Sequence, residues 1–419
     1  MMKWNRRRIL AFLTLAALLL TGCGRLTKQE AEAPAPDEVQ PAEPESVPEP
    51  QTMTEPESAP EEPDPTDARV RELLGAMTAE QKIAQLFFVS PEALTGSGGA
   101  VTVAGDATRE AFSQRPVGGV IYSYDNLTDP EQTRAMLAGM QQISRDVLGL
   151  PVFLGVDEEG GTVARISGRE EFGVDAWPDM ADVHDAADAR RIGEAMGDYL
   201  RDLGFNLDFA PVADVLTNPQ NTVVRRRAFS SDPEAVTRLC AAFSDGLQSR
   251  GVLACCKHFP GHGATAEDSH EGFAVSQHTP EELISTDLPP FCDAVGRGIP
   301  FIMVGHITLP NVTGEEVPAS LSREVTTSLL REELGFQGVA VTDSLDMGAI
   351  TQNYPAGEAA VRAVLAGEDM LLISGGFAEA YDAVTAAVAD GAIPGERLDE
   401  AVGRILRVKL AWEEGQQRS

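Results

Sequence analysis

From about Asp67 onward, short apolar runs of strand type alternate with longer stretches of helical type. The runs are Gln85–Val89, Gly118–Tyr122, Val152–Val156, Phe205–Phe209, Val252–Cys256, Phe301–Val304, Val339–Val341 and Met370–Ile373. Between them lie Pro130–Val147, Ala187–Leu203, Pro233–Arg250, Pro280–Arg297, Arg323–Leu334 and Glu358–Ala366, several opening on a proline that suits a first helical turn. Strands alternating with helices imply a parallel sheet. Eight such units in about 350 residues fit a single closed (β/α)8 barrel of the TIM type. The rival, an open doubly wound sheet, would carry a Gly-rich nucleotide turn after its first strand, and the sequence has none there. No second folded domain is expected after the eighth unit.

The strand-like runs end in reactive side chains. Asp157 follows Gly155-Val156, Lys257-His258 follow Cys255-Cys256, His306 follows Val304-Gly305, and Asp343 follows Val341-Thr342. The carboxyl ends of the strands carry the active site of an α/β barrel. Several polar strand ends, from separate strands, are hard to explain by solubility alone.

Composition narrows the picture. The 419 residues carry a formal net charge of −32, which argues against a nucleic-acid partner, since phosphate backbones need a basic face. Much of that charge lies before the barrel. Lys3, Arg6, Arg7 and Arg8 precede an apolar run from Ile9 to Leu20, too short for a comfortable transmembrane helix of about 20 residues. Leu20-Thr21-Gly22-Cys23 then resembles a bacterial lipobox. Residues 1–22 are therefore expected to be a lipoprotein signal peptide, and Cys23 the lipid-modified N-terminus that tethers the protein to a membrane outside the cytoplasm. Residues 23–66 read as an acidic, disordered linker: Gln29 to Asp67 holds no Lys or Arg and many Glu and Pro. The barrel takes 67–419. The other cysteines, Cys240, Cys255, Cys256 and Cys292, are spaced neither as a disulfide framework nor as a zinc site. Neighbours on a strand point to opposite faces, so Cys255 and Cys256 are expected to pack rather than bridge.

Two segments concentrate chemistry. Lys257-His258-Phe259-Pro260-Gly261-His262-Gly263, followed by Asp268-Ser269-His270, holds three of the six histidines. Pro260 and Gly261 break any helix that would align His258 with His262 on a metal, and no metal is expected. A stiffened loop with ordinary hydrogen-bonding histidines is one reading. The other is an acid/base device, in which the Asp268 carboxylate orients the His270 imidazole. The second segment is Gly338 through Met347, with Asp343 at the end of a buried strand. A carboxylate there can attack an anomeric carbon. Its competing role, a helix N-cap, can fall to Asp346 instead.

These segments resemble glycoside hydrolase family 3. Leu329-Leu330-Arg331-Glu332-Glu333 and Gly338 through Asp343 are similar to its nucleophile signature. Lys257 to His270 is similar to the K-H-F-P-G-H-G…D-S-H of its bacterial β-N-acetylhexosaminidases. Asp157 to Arg165, Asn206 to Asp214 and Pro318-Ala319-Ser320-Leu321-Ser322 match further motifs, so the resemblance runs from about Val70 to Leu410. It implies Asp343 as nucleophile, His270 as acid/base with Asp268 as partner, and Asp157, Arg227, Lys257, His258 and His306 around the sugar. It implies a retaining mechanism without cofactor, acting on terminal N-acetylhexosamine, with peptidoglycan fragments as substrate. A β-glucosidase of the same family and a non-catalytic sugar-binding lipoprotein are the alternatives. One departure stands out. Val224-Arg225-Arg226-Arg227-Ala228-Phe229 replaces the family's I-G-x-R-S-F, so an Arg stands where a Gly is usual.

Overall fold

The computed structural model describes residues 65–265 and 274–418. Cys23, Asp268, His270, residues 1–22 expected to be a signal segment, and nearly all of the expected linker lie outside the described residues. Pro65 and Thr66, at the end of the stretch read as linker, open the helix Pro65–Ala76.

The eight expected runs are the eight strands of one parallel sheet: β1 Phe87–Val89, β2 Gly119–Ile121, β3 Phe153–Val156, β4 Leu207–Asp208, β5 Leu253–Phe259, β6 Phe301–Val304, β7 Val339–Thr342 and β8 Leu371–Ile373. They pair in chain order, and β8 returns to β1 with Phe87 opposite Leu371. A bridge between Val341 and Met370 joins β7 to β8, giving a TIM-like α/β barrel.

Side-chain alternation builds two cores. Along β1, Phe88 points into the barrel with Phe153, Leu207, Phe209, Cys255, Phe301 and Met303, while Phe87 and Val89 face the surrounding helices. Cys255 belongs to the inner core and Cys256 to the outer one, and all four cysteines among the described residues are free. The inner aromatics meet edge to face, Phe88 with Phe209 at 5.2 Å and Phe153 with Phe301 at 5.0 Å. Small residues opposite make the room. A Cβ on Gly119 would stand 2.4 Å from the Phe88 ring.

The end of the barrel opposite the strand carboxyl termini is closed by charge as well as packing. The last helix, Gly395–Arg418, sends Ile405 into the inner core and buries Lys409, whose Nζ donates to Gln85 Oε1 at 2.7 Å. Burial pulls the Lys409 ammonium down to about 7. Just before β8, buried Asp369 receives Arg331, Arg397 and Arg404. Arg331, part of the nucleophile-like signature, thus ties the start of β7 through the Gly338 carbonyl, far from the strand ends.

The helix Pro130–Leu148 starts on an Asp129 cap and ends at Gly149. The helices Ala186–Leu203 and Pro233–Gln248 likewise start on Asp caps. The expected helix 280–297 is instead three pieces, a short turn at Pro280–Glu282, a widened turn Leu283–Asp287 and the helix Pro289–Gly296. Pro289 and Pro290 supply no N–H to continue a single helix through that point. A two-residue parallel pair, Ala274–Val275 with Ile307–Thr308, sits above β5 and β6 and was not expected.

Candidate active site

The carboxyl ends of the strands surround a cavity of about 540 Å³. Its wall includes Asp157, Glu159, Arg227, Lys257, His258 and Asp343. Five of the residues singled out from sequence therefore converge on one space, from the ends of β3, β5 and β7 and the segment after β4.

Lys257 and His258 are near the end of β5, and the peptide between them is cis. The Lys257 side chain is 2% exposed; its Nζ donates to Asp157 Oδ1 at 2.7 Å and to Glu159 Oε1 at 2.6 Å. Arg227 grips the same Glu159 with two N–H groups, Nε to Oε2 at 2.7 Å and Nη2 to Oε1 at 2.8 Å. Such a forked pair fixes direction as well as distance. Burial pushes the Glu159 carboxyl upward, but Arg227 and Lys257 outweigh it and hold the group far below the ordinary carboxylate range. Burial would likewise lower Lys257, but Asp157 and Glu159 raise it above the usual ammonium value. Glu159, Lys257 and Arg227 stay ionised at neutral pH, and with Asp157 they form one lattice of donors and acceptors.

A second lattice stands beside it. His258 Nδ1 lies 2.8 Å from Asp214 Oδ2, and the backbone N–H groups of His258 and His262 both donate to Asp214 Oδ1. Asp214 is fully buried, and burial raises its carboxyl, yet His258 and these donors bring it below its ordinary value. Burial lowers the His262 imidazole, whose Nδ1 lies 2.8 Å from Thr265 Oγ1.

Asp343 follows β7 directly. Its N–H donates to the Val304 carbonyl at 2.9 Å, which fixes it against β6, and its Oδ1 accepts from Ser344 N at 2.8 Å. Burial pushes its carboxyl up, but His258, His306, the Ser344 N–H and Lys257 together hold it below the ordinary value. Asp343 is an anion on the cavity wall. His306 is placed behind that wall. It is 1% exposed and not a lining residue, and its Nδ1 meets Ser320 Oγ while Nε2 donates to the Ser344 carbonyl, both at 2.8 Å. Its contact is with the segment that carries Asp343.

Asp346 is not the helix cap that the sequence suggested. The short helix Gly348–Thr351 has no side-chain cap, and Asp346 Oδ2 instead accepts from the N–H groups of Ser374 and Gly375 after β8. Arg227 faces the cavity, while Arg225 is exposed and Arg226 turns outward onto Asp179.

Glu159, Asp214 and His262 were missed as site residues. Glu159 had a signal, since Gly160 and Gly161 follow it at φ +91° and +56° and fold the chain back over Asp179. A Cβ on Gly161 would stand 2.2 Å from Asp179 Oδ1. That turn keeps the Glu beside the strand end.

The model of the glycosyl hydrolase family 3 N-terminal domain matches residues 78–408. This chain belongs to glycosyl hydrolase family 3. It is 33% identical over 413 residues to Beta-hexosaminidase LpqI of Mycobacterium tuberculosis, covering 96% of this chain and 97% of that one. It is 36% identical over 284 residues to Beta-hexosaminidase A of Pseudoalteromonas piscicida, covering 63% of this chain and about half of the relative, 47%. Among solved structures, a family 3 beta-N-acetylglucosaminidase from Paenibacillus sp. FPU-7 is 38% identical with a TM-score of 0.75, covering 80% of this chain and 63% of that one. Both lattices reach the cavity, the first through Asp157, Glu159, Arg227 and Lys257, the second through His258 and His262.

Proposed function

We propose that this family 3 member is a retaining exo-β-N-acetylhexosaminidase that removes terminal non-reducing N-acetylhexosamine residues. The observation that carries the reading is Asp343, an ionised carboxylate on a cavity wall that also presents Asp157, Lys257 and Arg227. An Asp343 oxygen attacks the anomeric carbon as the bond to the aglycone oxygen breaks, and the His270 imidazole passes its proton to that oxygen. Water then attacks the glycosyl-enzyme, returns a proton to His270, and frees Asp343. Lys257 and Arg227 are fixed donors, and Asp157 an acceptor, for ring hydroxyls. The N-acetyl preference is supported by the names of the relatives and by Asp268-Ser269-His270 in the sequence. Lipid attachment at Cys23 would place the enzyme at the outer side of a membrane, next to cell-wall fragments.

The test is an assay of aryl β-N-acetylglucosaminide and aryl β-glucoside side by side, with product stereochemistry. Turnover of the first with retained β configuration is expected. Preference for the glucoside would replace the substrate assignment, and an inverted product would replace the mechanism. The same assay tests the acid. His270→Ala should lose about 100-fold or more with a poor leaving group and much less with nitrophenolate, which needs little protonation. Equal losses on both substrates count against His270.

A further inference from the structure

The catalytic loop leaves β5 at Phe259 and returns at Ala274, so Asp268 and His270 lie in sequence between two stems. Both stems meet one buried residue, Asp287, at the end of the turn Leu283–Asp287. On the outgoing stem, Gly261 is packed against it. A Cβ on Gly261 would stand 2.7 Å from Asp287 Cβ and 2.8 Å from its Oδ1, and Gly261 has φ +137°. On the returning stem, His278 Nδ1 lies 2.6 Å from Asp287 Oδ2. Asp287 is 1% exposed, and its Oδ1 has no hydrogen-bond partner among the described residues. His278 is fixed in turn by its N–H on Ser276 Oγ, and Ser276 by its N–H on the Thr308 carbonyl above β6.

A buried carboxylate at this point is costly unless paired, and a purely structural contact between the stems could use an apolar residue. Burial pushes the Asp287 carboxyl up to about 6, and the bond to Asp287 raises the His278 imidazole in turn. The other charged groups facing the pair are Asp214, below the outgoing stem, and Glu282, one turn back on the same segment. Asp214 also binds the N–H of His262, one residue beyond Gly261. The outgoing stem is thus held between the carboxylate that orients His258 and the carboxylate that holds the return.

We propose that Asp287 and His278 form a second carboxylate–imidazole pair, separate from the reacting groups, that positions the loop bearing Asp268 and His270 for proton transfer. Asp287 is a positioning residue in this scheme: it sets the span between the two stems and touches no substrate. The proposal rests on the assignment of His270 as the acid/base.

The experiment is a set of single and double variants on the full chain. Asp287→Asn should lower kcat on an alkyl β-N-acetylglucosaminide by about 10-fold or more while KM stays within about twofold, because misplacement of a proton donor is felt in the transition state. The loss should be smaller with a nitrophenyl aglycone. In a His270→Ala background, Asp287→Asn should cause little further loss, since the group it positions is gone. His278→Gln alters only a partly exposed side chain, and carries the test if Asp287→Asn fails to fold; the same leaving-group pattern is expected. Equal losses on both aglycones, or a full second loss in the His270→Ala background, would overturn the positioning role alone. Full alkyl-glycoside activity in His270→Ala would instead sink the acid/base assignment, and this proposal with it.

Discussion

Asp343→Ala should lower turnover of an aryl β-N-acetylglucosaminide on the order of 10⁴-fold, while the thermal unfolding midpoint stays near that of the parent protein. The size follows from the role. A nucleophile that forms the glycosyl-enzyme divides one difficult displacement into two easier ones, and without it only binding and the donor lattice remain. The small stability effect follows from the geometry. The carboxylate accepts from Ser344 N, which lies on a partly exposed segment where water can replace it. The backbone of Asp343 stays pinned to Val304 whatever the side chain. A second measurement separates a lost nucleophile from a damaged site. Azide added to the alanine variant should enter the vacated space and restore turnover, giving the α-glycosyl azide by a single inversion. A variant retaining rates within about tenfold of the parent would remove Asp343 from the mechanism.

The part of this arrangement that was legible in the sequence is the part that repeats. All eight strands announce themselves because each is a short apolar run buried on both faces, and the polar residues that stop each run mark the functional end of the barrel. Asp157, Lys257, His258 and Asp343 were visible on that ground alone. The closing helix Gly395–Arg418 was not, because Lys409 reads as a solvent residue in any pattern of apolar and polar positions. Its ammonium is buried only because Gln85 and the Phe153 ring wait for it at the barrel floor. The break after Asp287 is signalled by Pro289 and Pro290, but the stretch keeps helical periodicity across it, and what the sequence does not show is that Asp287 meets Gly261 and His278 across the fold.

Site residues divide in the same way. Position along a strand is a local property, but pairing is not. Asp214 looks like any acid after a strand until it is seen to hold His258 and two backbone donors from a segment 44 or more residues away. Arg331 looks like part of the nucleophile's own motif until its guanidinium is found on Asp369 at the other end of the barrel. His306 stands at a strand end like the others, yet the two-residue pair above β6 and the Ser320 turn cover it, leaving it to act on the Ser344 carbonyl. The strand-end rule finds candidates; the contacts across the barrel mouth decide which of them face the cavity.

Glu159 carries a large expected stability effect. Glu159→Ala removes the only carboxylate among the described residues that Lys257 and Arg227 share, both nearly buried, and should cost about 3–5 kcal/mol of unfolding free energy in denaturant titration. The argument turns on what is left behind. Lys257 would keep Asp157 at 2.7 Å, but Arg227 would lose both of its charge-assisted bonds. Asp157 is 24% exposed on its side chain, so Asp157→Ala leaves a partner that water can reach and should cost much less. Adding Arg227→Met to Glu159→Ala removes the stranded cation, and the double variant should be destabilised by less than the sum of the single changes. The dependence on pH has a definite sign. The folded pKa of Glu159 lies below its ordinary value of 4.5, so its contribution is in place above that value and is lost only as pH falls into the strongly acidic range. The stability gap between parent and Glu159→Ala should therefore be wide and flat from pH 5 to pH 8 and narrow as the solution is acidified below about pH 4. A gap that instead opened on acidification, or an alanine variant as stable as the parent at neutral pH, would mean that Lys257 and Arg227 find their counter-charges elsewhere.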